Sequence, residues 1–293
     1  MAHDYSEGTN GMTMFNTDYV RRKWLNRLML GLSSAAAGFG ILILALILGY
    51  ILANGIAFLN LDFLTQAAKP VGEVGGGIRN EILGTIILIA LGSILGLPVG
   101  LMAGIFLAEF ASPRAAAAVR FMADILAGVP SIVVGVFAYA IMVRPMHSYS
   151  ALSAGVALAI IMIPIVARTA EESLRLVPNS MREAALALGI TRWRSVVGVI
   201  IPGAITGIVT GIMLAVARIA GETAPLIFTA LGSSFGFQGL LKPIGALPLQ
   251  IYRYAMSPYP DWHQQAWAGA FVLIMLVLGI SIFVRWISNR RRI

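Results

Sequence analysis

The sequence predicts an all-α integral membrane fold with six transmembrane helices, and three observations carry that prediction. Of 293 residues, 58% are hydrophobic and only 12% charged, where a soluble domain carries roughly 25% charged residues. Apolar runs near 28–53, 83–108, 121–143, 151–168, 203–231 and 266–287 match the ~20 residues of helix that a bilayer core demands. None of them alternates with period two, so the barrel strand is excluded and the helix remains as the structure that satisfies its backbone in lipid.

Taken in chain order, residues 1–27 form a polar arm expected on the cytoplasmic side, and residues 28–293 form one membrane domain. The first run follows the arm, is too long for a signal-peptide core and has no evident cleavage site, so it is read as a retained anchor. The fourth run is the shortest. Six spans place both termini on one side. Setting them inside gathers fifteen basic residues there, among them Arg21, Arg22, Lys23, Arg114, Arg175 and Arg285, and leaves five outside: Lys69, Arg79, Arg144, Lys242 and Arg253. Basic residues accumulate on the cytoplasmic side, so cytoplasmic termini are expected. Trp24 and Trp286 then fall at the inner interface, and Tyr50, Tyr149, Trp262 and Trp267 at the outer one. The net charge of +8 is spread over short connections rather than gathered in a stripe, which argues against nucleic acid.

The connection between the fourth and fifth runs, residues 169–202, is the most informative. Pro178-Asn179 breaks the preceding helix, and Ser180 and Glu183 stand at capping-box spacing. A short helix is expected from Met181 to Leu188, with small residues at Ala184, Ala185 and Ala187. Gly189 is placed to end it in the left-handed conformation, and Thr191 to cap the helix that follows. Small side chains let another surface approach the backbone closely.

Glu183-Ala184-Ala185, then Gly189, then Val199, Ile201 and Pro202 resemble the EAA loop of bacterial ABC importer permeases, with Val and Ile in place of the usual Ile and Leu. Further stretches resemble the phosphate permeases of that class: Gly75-Gly76-Gly77-Ile78 with Gly84-Thr85, and Ala127-Gly128-Val129-Pro130-Ser131-Ile132-Val133-Val134-Gly135. Gly221-Glu222-Thr223-Ala224-Pro225-Leu226 and Leu247-Pro248-Leu249-Gln250-Ile251-Tyr252 are similar to the PstA family among them. Together these cover most of residues 75–287; the first 27 residues match nothing.

The resemblance implies a type I ABC importer (MetI-like) permease fold with its core at about 79–287. It implies that Glu183, Ala184, Ala185 and Gly189 form a coupling helix that docks on an ATPase. It implies a phosphate pathway shared with a second, PstC-like permease, two PstB-like ATPase subunits, a PstS-like phosphate-binding protein, and surrounding lipid of the bacterial inner membrane. No cofactor is expected on this chain, ATP and Mg being bound by the partner ATPase. In agreement, no Gly-x-x-x-x-Gly-Lys-Ser/Thr motif occurs. His3, His147 and His263 are scattered, without metal-ligand spacing, and cysteine is absent.

Charges within apolar runs mark further candidates, because they are costly there unless paired or facing water. Arg218 and Glu222 stand four residues apart in the fifth run, and Arg168 one turn from Glu171 and Glu172 at the inner end of the fourth. Each group has two readings: a weak attraction for the passing anion, or an ion pair that locks helices or fixes conformations. For Arg168 the lock is preferred. Pro130, with Gly128 and Gly135, should bend the third span, and Pro98 and Pro164 invite kinks in the second and fourth. The external segments 54–80 and 232–265 are candidate docking surfaces for a binding protein, or connections only. Two other functions compete: an ABC permease for molybdate or sulfate, and an ion-coupled secondary transporter, whose folds commonly show internal repeats that are not evident here.

Overall fold

The structure, a computed structural model, describes residues 9–70, 73 and 75–290, with side chains between residues 19 and 286. His3, Arg291, Arg292 and the first eight residues of the expected arm lie outside the described residues. The chain divides into two units, Met1–Ala53 and Asn54–Ile293.

The first unit is built on α1, Thr9–Ile56. Its apolar stretch, Tyr19–Ile56, is long enough to cross a membrane. The expected arm is therefore helical from Thr9 onward rather than a separate segment. No proline or glycine interrupts residues 12–30, so nothing stops the helix short of the apolar run. Arg27 lies over the ring of Trp24, 6.0 Å from its centroid.

The second unit opens with α2 (Leu61–Thr65), capped by the Asn60 side chain, which accepts from Phe63 N at 2.7 Å. There follow α3 (Arg79–Ile105) with a π-helical turn at Phe106–Phe110, α4 (Pro113–Gly128), α5 (Ser131–Ala138) with a π turn at Tyr139–Val143, and α6 (Arg144–Met146). Then come α7 (Ala151–Arg175), α8 (Asn179–Ala187), α9 (Arg192–Ser195) with a π turn at Val196–Ile200, and α10 (Ile201–Ala220). The chain ends with α11 (Ala224–Thr229), α12 (Leu247–Ala255) and α13 (Pro260–Arg290). Among the described residues, five helices or helix runs are long and apolar enough to span a bilayer, and six if the pair Pro113–Gly128 and Ser131–Met146 counts as one.

That pair corrects the third expected span. Residues 121–143 do not cross as one bent helix; the two segments meet at 98°. Pro130 disfavours helical geometry at Val129 and offers no N–H of its own, so α4 ends at Gly128 and Pro130 caps α5. The fifth span also ends earlier than expected. It stops at Ala220 rather than 231, because Gly221 follows and Pro225 opens a new short helix. The fourth, expected to be the shortest, runs unbroken for 25 residues through Pro164, and α3 runs through Pro98.

The core is organised around α7. Of its apolar stretch 61% is buried, against 33% for α3 and 28% for the Arg192–Ala220 segment. Leu158, Met162 and Val166 of α7 pack with Leu88 of α3, Ile219 of α10, Leu226 of α11 and Leu249 of α12. Close approach of α3 is made possible by Gly92, Gly96, Gly100 and Gly104, one per helical turn on the same face. A Cβ on Gly100 would lie 2.8 Å from Val166 Cβ, and one on Gly104 2.7 Å from Ala167 O. Small residues at four-residue spacing are the means by which membrane helices gain packing without a hydrophobic driving force.

At the other end of α7, the loop after α11 folds back over its N-terminus. Ala151 N and Leu152 N donate to the carbonyls of Lys242 and Leu240, and Ser150 Oγ accepts from Ser153 N. The orphan amides of a helix start are thereby satisfied within the protein. Thr85 Oγ1 accepts from Leu247 N at 2.8 Å, fixing α12 to α3.

Candidate coupling and translocation sites

The short helix α8 begins at Asn179, two residues before the expected start. Pro178 occupies the N-cap position, and no side chain caps it, so the Ser180–Glu183 capping box does not form. Its C-terminus is as expected. Gly189 has φ +75°, Ile190 N donates to Ala185 O, and Gly189 N donates to Leu186 O, the double closure of a Schellman motif. Thr191 takes the N-cap position of α9, without a side-chain hydrogen bond.

One face of α8 turns inward through Arg182 and Ala185; Ala185 is its one buried residue. The opposite face exposes Glu183, Ala184 and Ala187, and Leu186 and Leu188 are exposed at its margins. Exposed leucines beside alanines make a low, apolar surface of the kind that another protein covers.

Arg182 and Arg192 secure this loop to the second span, through a residue that the sequence reading passed over. Glu109, in the π turn at Phe106–Phe110, accepts Arg182 Nη2 at 2.8 Å and Nε at 3.2 Å. Its backbone carbonyl accepts from Arg192 Nη2. The available signal was a lone acid at the end of an apolar run, which has to find a partner.

Beside it, Glu171 is almost fully buried and draws three arginines. Arg120 of α4 binds its Oε1 through Nε at 2.8 Å and Nη2 at 2.7 Å. Arg175 Nη2 reaches the same oxygen at 3.0 Å. Arg168, the partner expected from sequence, stands 3.7 Å from Oε2 and pairs more closely with Glu172, at 2.8 Å. Three guanidinium groups face two carboxylates, so the cluster keeps one positive charge in excess. Arg120 was missed because it lies 51 residues away, in a segment read as a connection.

Arg218 and Glu222 do form an ion pair, with a different placement from that expected. Arg218 is in the last turn of α10, and Glu222 lies past the helix end, before α11. The carboxylate is buried while the arginine side chain is 55% exposed. A cation is thus presented outward, backed by a carboxylate within the fold. Glu81, in the first turn of α3, is a further buried acid absent from the sequence reading. Among the described residues, no group of His, Cys, Asp or Glu is arranged to hold a metal ion.

Residues 96–293 match the family model described as binding-protein-dependent transport system inner membrane component. The chain is 42% identical over 287 residues to the phosphate transport system permease protein PstA of Yersinia pestis, covering 97% of each chain. It is 42% identical over 278 residues to the PstA of Haemophilus influenzae, covering 94% of this chain and 98% of that one. Among solved structures, a bacterial ABC transporter involved in import of the acidic polysaccharide alginate matches with a TM-score of 0.64 at 15% identity, over 94% of this chain and 99% of that one. The MetNI methionine ABC transporter in an inward-facing conformation matches with a TM-score of 0.53 at 20% identity, over 73% and 92%. At those identities the structures speak to the fold, which is the MetI-like one. On the family model and the extent of identity, this chain belongs to the binding-protein-dependent inner membrane permeases and, among them, to the PstA phosphate transport family.

Proposed function

We propose that the chain is the membrane-spanning permease subunit of an ATP-driven importer of inorganic phosphate. The observation that carries this reading is the 42% identity to proteins named phosphate permeases, sustained over 97% of the chain. In this reading it lies in the inner membrane with both termini cytoplasmic and shares the pathway with a PstC-like permease. A PstS-like protein delivers phosphate from outside, and two PstB-like subunits bind ATP and Mg. The exposed face of α8, with Glu183, Ala184 and Ala187, docks on an ATPase subunit, and Gly189 shapes its end.

Arg218 is proposed to meet the anion. Its charge is turned outward from the chain, and Glu222 behind it keeps the attraction weak enough for release. Arg168 and Glu171 belong to a cluster in which Glu171 is engaged by Arg120 and Arg175 and Arg168 by Glu172, which supports a helix-locking role for that group.

The test is uptake by the complete complex in proteoliposomes supplied with ATP. Phosphate uptake that requires ATP and the binding protein is expected. Preference for molybdate or sulfate overturns the substrate, and uptake driven by an ion gradient without ATP overturns the transport class.

A further inference from the structure

Helix α8 is nine residues long and buries a single alanine. Burying so small a side chain does little to hold the helix in its seat. What ties it down is polar. Arg182 spends its donors on the Glu109 carboxylate, on the carbonyls of Leu174 (2.7 Å) and Val177, and on Asn179 Oδ1 (3.2 Å). The guanidinium therefore joins α8 to the end of α7 and to the π turn that ends the second span. Arg192, at the start of α9, binds the Glu109 carbonyl and lies 5.2 Å from the centroid of Phe110. Both ends of the loop thus converge on one residue.

The setting favours a mechanical role. Glu109 is 8% exposed, and a planar fork on a shielded carboxylate is among the strongest and most directional of protein hydrogen-bonded pairs. Glu109 sits in a π turn, and a second π turn, Val196–Ile200, follows α9. Such turns are local departures from regular helix that recur at functional sites.

We propose that Glu109 is the positioning residue that links α8 to the second span, so that displacement of α8 by the ATPase is carried through Arg182 into α3. This rests on the proposed docking of α8. When the helix is pulled, the pair moves the end of α3, and the glycine-lined contact of α3 with α7 passes the displacement to the centre of the bundle.

The test uses the complete complex and measures phosphate uptake and ATP hydrolysis together. E109Q keeps the shape and removes the charge; R182K keeps the charge and removes the fork. Each is expected to lower phosphate transported per ATP hydrolysed by on the order of tenfold, the size of a typical coupling between two sites. The double variant is expected to be no worse than either single one, because both break the same link. If E109Q does not assemble with the ATPase, R182K and its coupling ratio carry the test. An unchanged ratio in R182K, or losses that add in the double variant, overturns the role of Glu109. Failure of the unaltered chain to copurify with an ATPase instead overturns the docking of α8 itself.

Discussion

Arg120 Nε donates to the buried Glu171 Oε1 at 2.8 Å, across 51 residues of sequence. The contact joins α4, the first half of the sharply broken helix pair, to the C-terminal end of the central helix α7. Arg175 approaches the same oxygen, so one shielded carboxylate holds cations from two elements.

Glu171→Gln removes the only buried charge in that cluster and leaves Arg120 and Arg175 facing a neutral amide. Removing one partner of a buried pair costs about 3 kcal/mol. A lower melting temperature of the detergent-solubilised chain is expected, with a smaller drop for Arg120→Gln, whose side chain is 27% exposed and partly screened by solvent. Equal melting of Glu171→Gln and the unaltered chain contradicts the assignment.

The glycine stripe of α3 makes a second prediction. Gly100→Val drives a branched side chain into Val166, and overpacking of this kind costs about 2 kcal/mol. Gly279→Ala in α13 meets no atom within 4 Å and should stabilise the isolated chain by about 0.5 kcal/mol through the unfolded state. Thermal unfolding of the two variants in the same detergent should move in opposite directions.

Gly189 supplies a third. Its φ of +75° costs a residue with a Cβ about 1 kcal/mol. No neighbouring atom stands in the way. Gly189→Ala should therefore lower uptake modestly by loosening the end of α8, and Gly189→Asn should lower it less. Identical uptake in all three chains means that the Schellman closure does not matter for transport.

Much of this architecture was legible before any coordinates. Run lengths and the scarcity of charge set the class, and small residues with Gly189 marked the short helix α8, because these are local properties of the chain. What escaped was non-local. The convergence of Arg182 and Arg192 on Glu109, and of Arg120 on Glu171, joins residues 51 to 83 positions apart, which no spacing rule reveals. The third span was expected to bend at Pro130 and instead breaks there, and the fifth was carried past its end at Ala220, since hydropathy registers neither the full break at Pro130 nor the stop at Gly221 with Pro225. The Gly92–Gly104 repeat was readable as a close-packing face but was passed over among 31 glycines.

Arg218→Gln separates the two readings of the outward-facing pair. If the arginine meets the anion, phosphate uptake falls at least tenfold, as losing a charge-assisted contact worth about 1.5–3 kcal/mol requires, while the subunits still copurify. Near-normal uptake with normal assembly removes Arg218 from the pathway and leaves Glu222 with a structural part only.

If the exposed face of α8 meets the ATPase, a crosslink between them can be read cleanly, because the chain contains no cysteine. Ala187→Cys places one thiol on that face, and a short bifunctional crosslinker is applied to the complex with single cysteines set around the nucleotide-binding subunit's cleft. A crosslinked pair with the ATPase is expected, with loss of ATP-dependent phosphate uptake that is restored when a cleavable link is cut. Uptake that persists with α8 unlinked to any ATPase position, in a complex shown to be active and fully assembled, contradicts it.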